Sequence, residues 1–143
     1  MTHEPERRRT LWRVWLPIPL YLAVVVALST WSVPRTPVGL SDKTLHVLEY
    51  LGLGALVARA YALQFRPPAL VAIVMGTLFG VGCGALDELL QSYVPLRTSD
   101  MHDLLADSIG AALGASAIVL GMASRSRSAR RASTAFRSDD AQA

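Results

Sequence analysis

Four stretches of this chain, residues 14–32, 45–63, 69–90 and 101–122, are each apolar over the roughly 20 helical residues needed to cross a bilayer core about 30 Å thick. Hydrocarbon tolerates only backbones that satisfy their own hydrogen bonds, and long apolar blocks without alternation do so as helices. The connections between the blocks are short, so the expected fold is all-α: an integral membrane four-helix bundle with up-down topology. The balance of residues agrees, with 52% apolar against 17% charged and a mean hydropathy of +0.35. A disordered chain or a coiled coil is excluded. Trp12 and Trp15 at one end of the first block and Trp31 at the other suit the membrane interface. Pro17 and Pro19 fall in that block's first turns and Pro67 and Pro68 stand just before the third block, places where proline shapes a helix start without breaking it.

The formal charge of +3 resides in the tails: residues 1–13 carry +2, residues 14–123 carry −2 and residues 124–143 carry +3. With no basic helix and no aromatic stacking motif, this pattern describes membrane flanks, and no nucleic-acid partner is expected. With the N-terminus inside, Arg7, Arg8, Arg9, Arg13, Arg59, Arg66, Arg125, Arg127, Arg130, Arg131 and Arg137 fall on the cytoplasmic side, leaving Arg35, Lys43 and Arg97 outside. Eleven against three makes both termini cytoplasmic. Three regions result: a basic cytoplasmic N-terminus (1–13), a four-helix transmembrane domain (14–122) and a Ser/Arg/Ala-rich cytoplasmic tail (123–143) that reads as disordered. The first block reads as an uncleaved anchor, although Ala27, Leu28 and Ser29 would also suit signal-peptide cleavage. Cys83 is the only cysteine, so an intrachain disulfide and a thiolate zinc site are excluded.

Seven of the eleven acidic residues, Asp42, Glu49, Asp87, Glu88, Asp100, Asp103 and Asp107, lie in or beside the apolar blocks. A charge within hydrocarbon costs a few kcal/mol, so such residues face a bundle interior or a wet cavity and commonly serve a function. In the topology above, all three helices that carry them carry them at the outer end. Helical spacing extends each polar stripe inward as a row of small residues: Glu88 and Gln91 continue Gly76, Gly80 and Gly84, Asp103 and Asp107 run on to Gly110 and Gly114, and His46 and Tyr50 lead to Gly54. Small residues at this spacing let membrane helices approach closely, so the rows are expected as buried contacts that aim the polar ends at one another.

These residues carry a resemblance. The stretch from Asp42 to Gly114 resembles the VanZ-like membrane proteins through Asp42-Lys43-x-x-His46-x-x-x-Tyr50, Asp87-Glu88-x-x-Gln91 with Val94-Pro95-x-Arg97, and Asp103 with Gly110 and Gly114. Leu96 stands where members often have glycine, and Asp107 where they often have asparagine. If a carboxamide can replace Asp107, its charge is not essential. The family takes its name from a protein associated with teicoplanin resistance, so the resemblance implies a bacterial cytoplasmic-membrane protein of the cell envelope, with a link to glycopeptide resistance. It implies a fold and a site more firmly than a reaction.

Two functions suit the site. One is an enzyme on an outer-leaflet amphiphile, such as a membrane lipid or a lipid-linked cell-wall precursor. Glu88 is then the base, Asp103 or Asp87 the acid and His46 the proton partner. Lys43 and Arg97 hold an anionic headgroup, with Gln91, Tyr50, Asp42 and Asp107 around them. No cofactor and no metal is assigned, the metal alternative being His46 and Glu49 with Glu88 and Asp103. The other function is proton-linked binding or transport of an anionic headgroup or drug without chemistry. Four helices make a small carrier, so this reading adds a second copy of the chain as partner in a homodimer.

Ordinary structural roles stand beside both. Asp42 caps the second helix, Lys43 pairs with Asp103 and Arg97 with Glu88. His46 is a hydrogen-bonded core residue, Tyr50 an interfacial anchor and Gln91 helix-to-helix glue. In that account Glu49, Asp100 and His102 face solvent and Cys83 is packing. The topology is checked by a Ser99→Cys variant, which is expected to react with a membrane-impermeant thiol reagent on intact cells. Labelling only after lysis overturns it.

Overall fold

The computed structural model describes residues 12–30, 41–95 and 100–140, which are helical apart from short connecting segments. The chain is helical on both sides of a turn at Leu16, and α1 is the longer part, Pro17–Ser29. Pro17 occupies the first helical position, where its missing N–H leaves no bond unmade. Then come α2 (Asp42–Phe65), α3 (Ala69–Gln91) and α4 (Met101–Asp140). Trp31, Arg97 and Ser99 lie outside the described residues, as do Arg7, Arg8, Arg9 and Arg35.

Local chemistry sets the helix ends. Ser41, and not Asp42, caps α2: its side chain accepts the Thr44 backbone N–H, and Asp42 follows in the first turn, where its charge complements the helix dipole. Arg66 closes α2 in the left-handed conformation (φ 50°), a place more often filled by glycine. Pro67 and Pro68 follow, and Pro68 caps α3.

α4 departs from expectation by continuing to Asp140, so residues 123–140 extend a helix where the composition reads as disordered. Adding residues to an existing helix avoids the cost of nucleation, and the alanines and arginines of this segment are good helix formers.

Among the described residues, three segments are long and apolar enough to cross a membrane: Trp12–Ser29, Ala69–Gln91 and Met101–Ala129. α2 is less apolar, because it carries His46, Glu49 and Arg59. It is also the helix that packs against all three others, with His46, Tyr50, Leu53, Gly54, Val57, Ala58 and Ala60 buried while Leu48, Leu51 and Arg59 are exposed. A helix face covered by protein has less need of apolar residues than one facing lipid. The outward faces of its neighbours are apolar, as at Leu20, Leu70, Leu78, Leu86, Leu105 and Leu113, while buried groups include carboxylates. That distribution matches a bundle whose solvent is lipid.

Glycine rows bring the helices together as their spacing implies. A Cβ on Gly110 or Gly114 would overlap the carbonyl oxygen of Val47 or Leu51, and one on Gly54 would overlap Ala111. Contacts advance in the same direction along α2 and α4, from Lys43 with Asp103 through His46 with Asp107 to Leu51 with Gly114. α3 fits against both in the opposite sense, Gly84 beside Asp107, Gly80 beside Ala111 and Gly76 beside Ala58. α1 touches the group more lightly, through Tyr21 Oη donating to the Glu49 carbonyl at 3.0 Å and through Ser29. Cys83 is half-buried against the apolar core around Tyr50, Leu53 and Val57, a packing role.

Gly114→Ala is expected to destabilise the protein by about 1–3 kcal/mol, the usual cost of overpacking. A Cβ on Gly82 would meet nothing within 4 Å, so Gly82→Ala is expected to be neutral or to gain up to about 1 kcal/mol of helix propensity. Thermal unfolding of the purified protein in detergent, followed by circular dichroism, checks the contrast.

Candidate functional site

The polar residues of α2, α3 and α4 meet in layers at the end of the bundle where α2 and α4 begin. In the outermost layer, Lys43 Nζ lies 3.2 Å from Asp100 Oδ2 and 3.2 Å from Asp103 Oδ1. The lysine side chain is 53% exposed, whereas that of Asp103 is only 9% exposed. Asp100 accepts the His102 backbone N–H at 2.9 Å, and its Oδ1 lies 2.8 Å from His102 Nδ1. The His102 bonds, then Lys43, hold the Asp100 carboxyl well below the usual carboxylate range. Bonds to Asp100 and then Asp103 push the Lys43 ammonium above its ordinary value. What the bridge contributes to stability is therefore lost only on strong acidification, as Asp100 protonates, or at pH above the ordinary lysine range, as Lys43 deprotonates. Its charges persist at neutral pH.

One turn inward, His46 Nδ1 lies 2.9 Å from Asp107 Oδ1, with both residues buried. Glu88 approaches from α3, also buried, and its Oε2 accepts the Asp100 backbone N–H at 2.7 Å. One donor atom from each of His46, Glu88 and Asp107 falls within 4.8 Å of the others. Asp42, His46 and Asp103 form a second such group nearer the surface, where Asp42 is exposed. Asp107 Oδ2 is buried and has no hydrogen-bond partner among the described residues, and the same holds for Tyr50 Oη.

Asp87 faces another neighbour. Ser29 Oγ of α1 donates to its Oδ1, and Gln91 Nε2 donates to its Oδ2 at 3.1 Å. Asp87 thus ties α1 to α3, while Gln91 bonds to it within its own helix.

Of the residues singled out from the sequence, His46, Glu88, Asp103, Asp107, Lys43 and Asp42 come together, with Tyr50 one turn deeper on the His46 face. Tyr50 is fully buried and does not lie at an interface. Arg97 is outside the described residues, and with it the expected pairing to Glu88. Glu49 is half-buried and belongs to neither group of converging donors.

Three features were missed. Asp100 is a partner of Lys43 and His102 and not a purely solvated residue. Asp107 is the hydrogen-bond partner of His46, and Ser29 holds Asp87. The second follows from the register and rotation of α2 against α4, which spacing along a single helix does not encode.

Chemically, an imidazole held at one nitrogen by a buried carboxylate is oriented to accept or deliver a proton at the other. Lys43 supplies a cation at the exposed rim, where an anionic group can compete with Asp100. Asp107→Ala leaves His46 Nδ1 without this acceptor and is expected to cost about 1–3 kcal/mol, whereas Asp107→Asn keeps an acceptor and most of the stability. Detergent thermal unfolding of the two variants checks this.

No curated protein and no solved structure matches the chain. A family model does: the one described as VanZ/LLP1 matches residues 6–122, which include every helix contact and polar layer described above. The match spans well over half of the chain, which therefore belongs to the VanZ/LLP1 family as a VanZ-like membrane protein.

Proposed function

We propose that this protein lies in the bacterial cytoplasmic membrane with four helices crossing up and down and both termini cytoplasmic. The polar layers then face outward and carry out acid–base chemistry on an amphiphilic envelope component, a membrane lipid or a lipid-linked cell-wall precursor with an anionic headgroup. The observation that carries this reading is the buried His46–Asp107 pair beside Glu88, one turn below the exposed Lys43. A rim cation suits an anionic headgroup, the apolar outer faces of α3 and α4 suit its lipid tail, and the buried pair suits proton transfer. Glu88 serves as the second carboxylate. Asp103 positions Lys43, and Asp87, braced by Gln91, holds α1 in place, so neither carboxylate is assigned a direct chemical step. Altered processing of such a component would link the protein to glycopeptide resistance.

Binding or proton-linked transport is the second reading, favoured by the same exposed cation beside buried protonatable groups. The two separate in a mass-spectrometric comparison of envelope lipids and wall precursors from cells expressing wild type or Glu88→Gln at matched membrane levels. A species that changes with wild type and not with Glu88→Gln is expected, since losing an acid–base group costs about 10²–10⁴ in rate. A difference in glycopeptide sensitivity without any altered species overturns the chemical reading in favour of binding or transport.

A further inference from the structure

His46, Glu88 and Asp107 converge from three different helices, and their donor atoms lie within 4.8 Å of one another in a buried setting. We infer that they form a binding site for a divalent transition cation of the zinc class.

The charge balance favours a cation. In their coordinating forms, two carboxylates and a neutral imidazole carry −2 in a part of the bundle screened from water, a charge that a divalent ion cancels. The donor set also fits, because one imidazole nitrogen and two carboxylate oxygens suit zinc, with a fourth position left for water or substrate. Donors around a tetrahedral zinc stand about 3.4 Å apart, given bonds of about 2.1 Å. The ion is therefore expected to draw the three donors closer together on binding.

A separate observation points to a ligand. Asp107 is fully buried, yet its Oδ2 has no hydrogen-bond partner among the described residues, although buried carboxylate oxygens normally have one. It faces Gly84 of α3, where a Cβ would stand only 2.8 Å away, so glycine is what leaves this oxygen room. A metal ion gives the oxygen a partner and releases His46 Nδ1 from being the sole contact of the carboxylate.

The shallower group is the poorer candidate. Asp42 is exposed and Asp103 is already engaged by Lys43 at 3.2 Å. Glu49, the ligand that spacing alone suggests, is not part of the convergence, and Asp107 takes its place.

With the ion bound, His46, Glu88 and Asp107 serve as its ligands and not as the proton-transfer groups of the reading above, and the test reads metal content without reference to turnover. Full-length protein purified in detergent is stripped with chelator, dialysed against Zn²⁺ and passed through a desalting column. Bound metal is then counted by inductively coupled plasma mass spectrometry. About one Zn²⁺ per chain is expected for wild type and for Asp103→Asn. His46→Gln and Glu88→Gln are expected to weaken binding by more than about a hundredfold while eluting from size exclusion as wild type does. Cobalt substitution gives a second readout, since a tetrahedral site with these ligands produces visible absorption that both variants lose. Substoichiometric zinc in wild type overturns the inference. So does zinc retained by folded His46→Gln, or zinc lost from Asp103→Asn and kept by Glu88→Gln, which assigns the ion to the shallower group. If a variant does not elute as wild type, the cobalt spectrum of wild type decides alone, and a spectrum without tetrahedral bands counts against the site.

Discussion

Close backbone contact between α2 and α4 governs the positions of the polar groups. Where Gly110 and Gly114 meet the carbonyl oxygens of Val47 and Leu51, no side chain stands between the helices, so neither can slide along the other without a clash. That fixed register sets Lys43 against Asp103 and His46 against Asp107. α3 enters the same junction through Gly76, Gly80 and Gly84, and its last turns deliver Glu88 beside the pair and Asp87 toward α1. The small residues place the large polar ones.

A gradient of exposure divides the work among those groups. Lys43 and Asp100 keep contact with solvent, where an ion pair adds little stability but a charge remains available to a ligand. His46, Glu88 and Asp107 have lost that contact, and each must be balanced by its immediate neighbours. Asp87 is also buried, yet both its oxygens accept hydrogen bonds, one of them from another helix, which makes it a joint in the bundle. Two adjacent carboxylates on one helix thus face different partners, because consecutive helical residues point about 100° apart.

Much of this was legible in the sequence because lipid makes charge conspicuous. The carboxylates stood out against apolar blocks, the four-residue glycine spacing gave the contact faces, and the motif from Asp42 to Gly114 gave the family. Partnerships were harder to read. That His46 takes Asp107, and not Glu88, depends on the relative rotation of α2 and α4, which spacing along a single helix does not encode. Ser29 carries no signal, being one small residue at the end of an apolar block, and its role exists only because α1 reaches Asp87. The continuation of α4 to Asp140 was not legible either, because composition carries no record of the helix it prolongs.

The modest apolarity of α2 bears on how the protein is made. A segment containing His46, Glu49 and Arg59 partitions into lipid less readily than α1, α3 or α4, and it leaves the ribosome before α3 and α4, two of the helices that pack against it. Early in biogenesis its polar face has neither Asp107 nor Glu88 to meet, so its final seat in the membrane depends on residues translated tens of positions later. In the proposed four-helix topology, insertion and assembly are then coupled, and a lesion in the glycine row of α4 would surface as failed integration of α2.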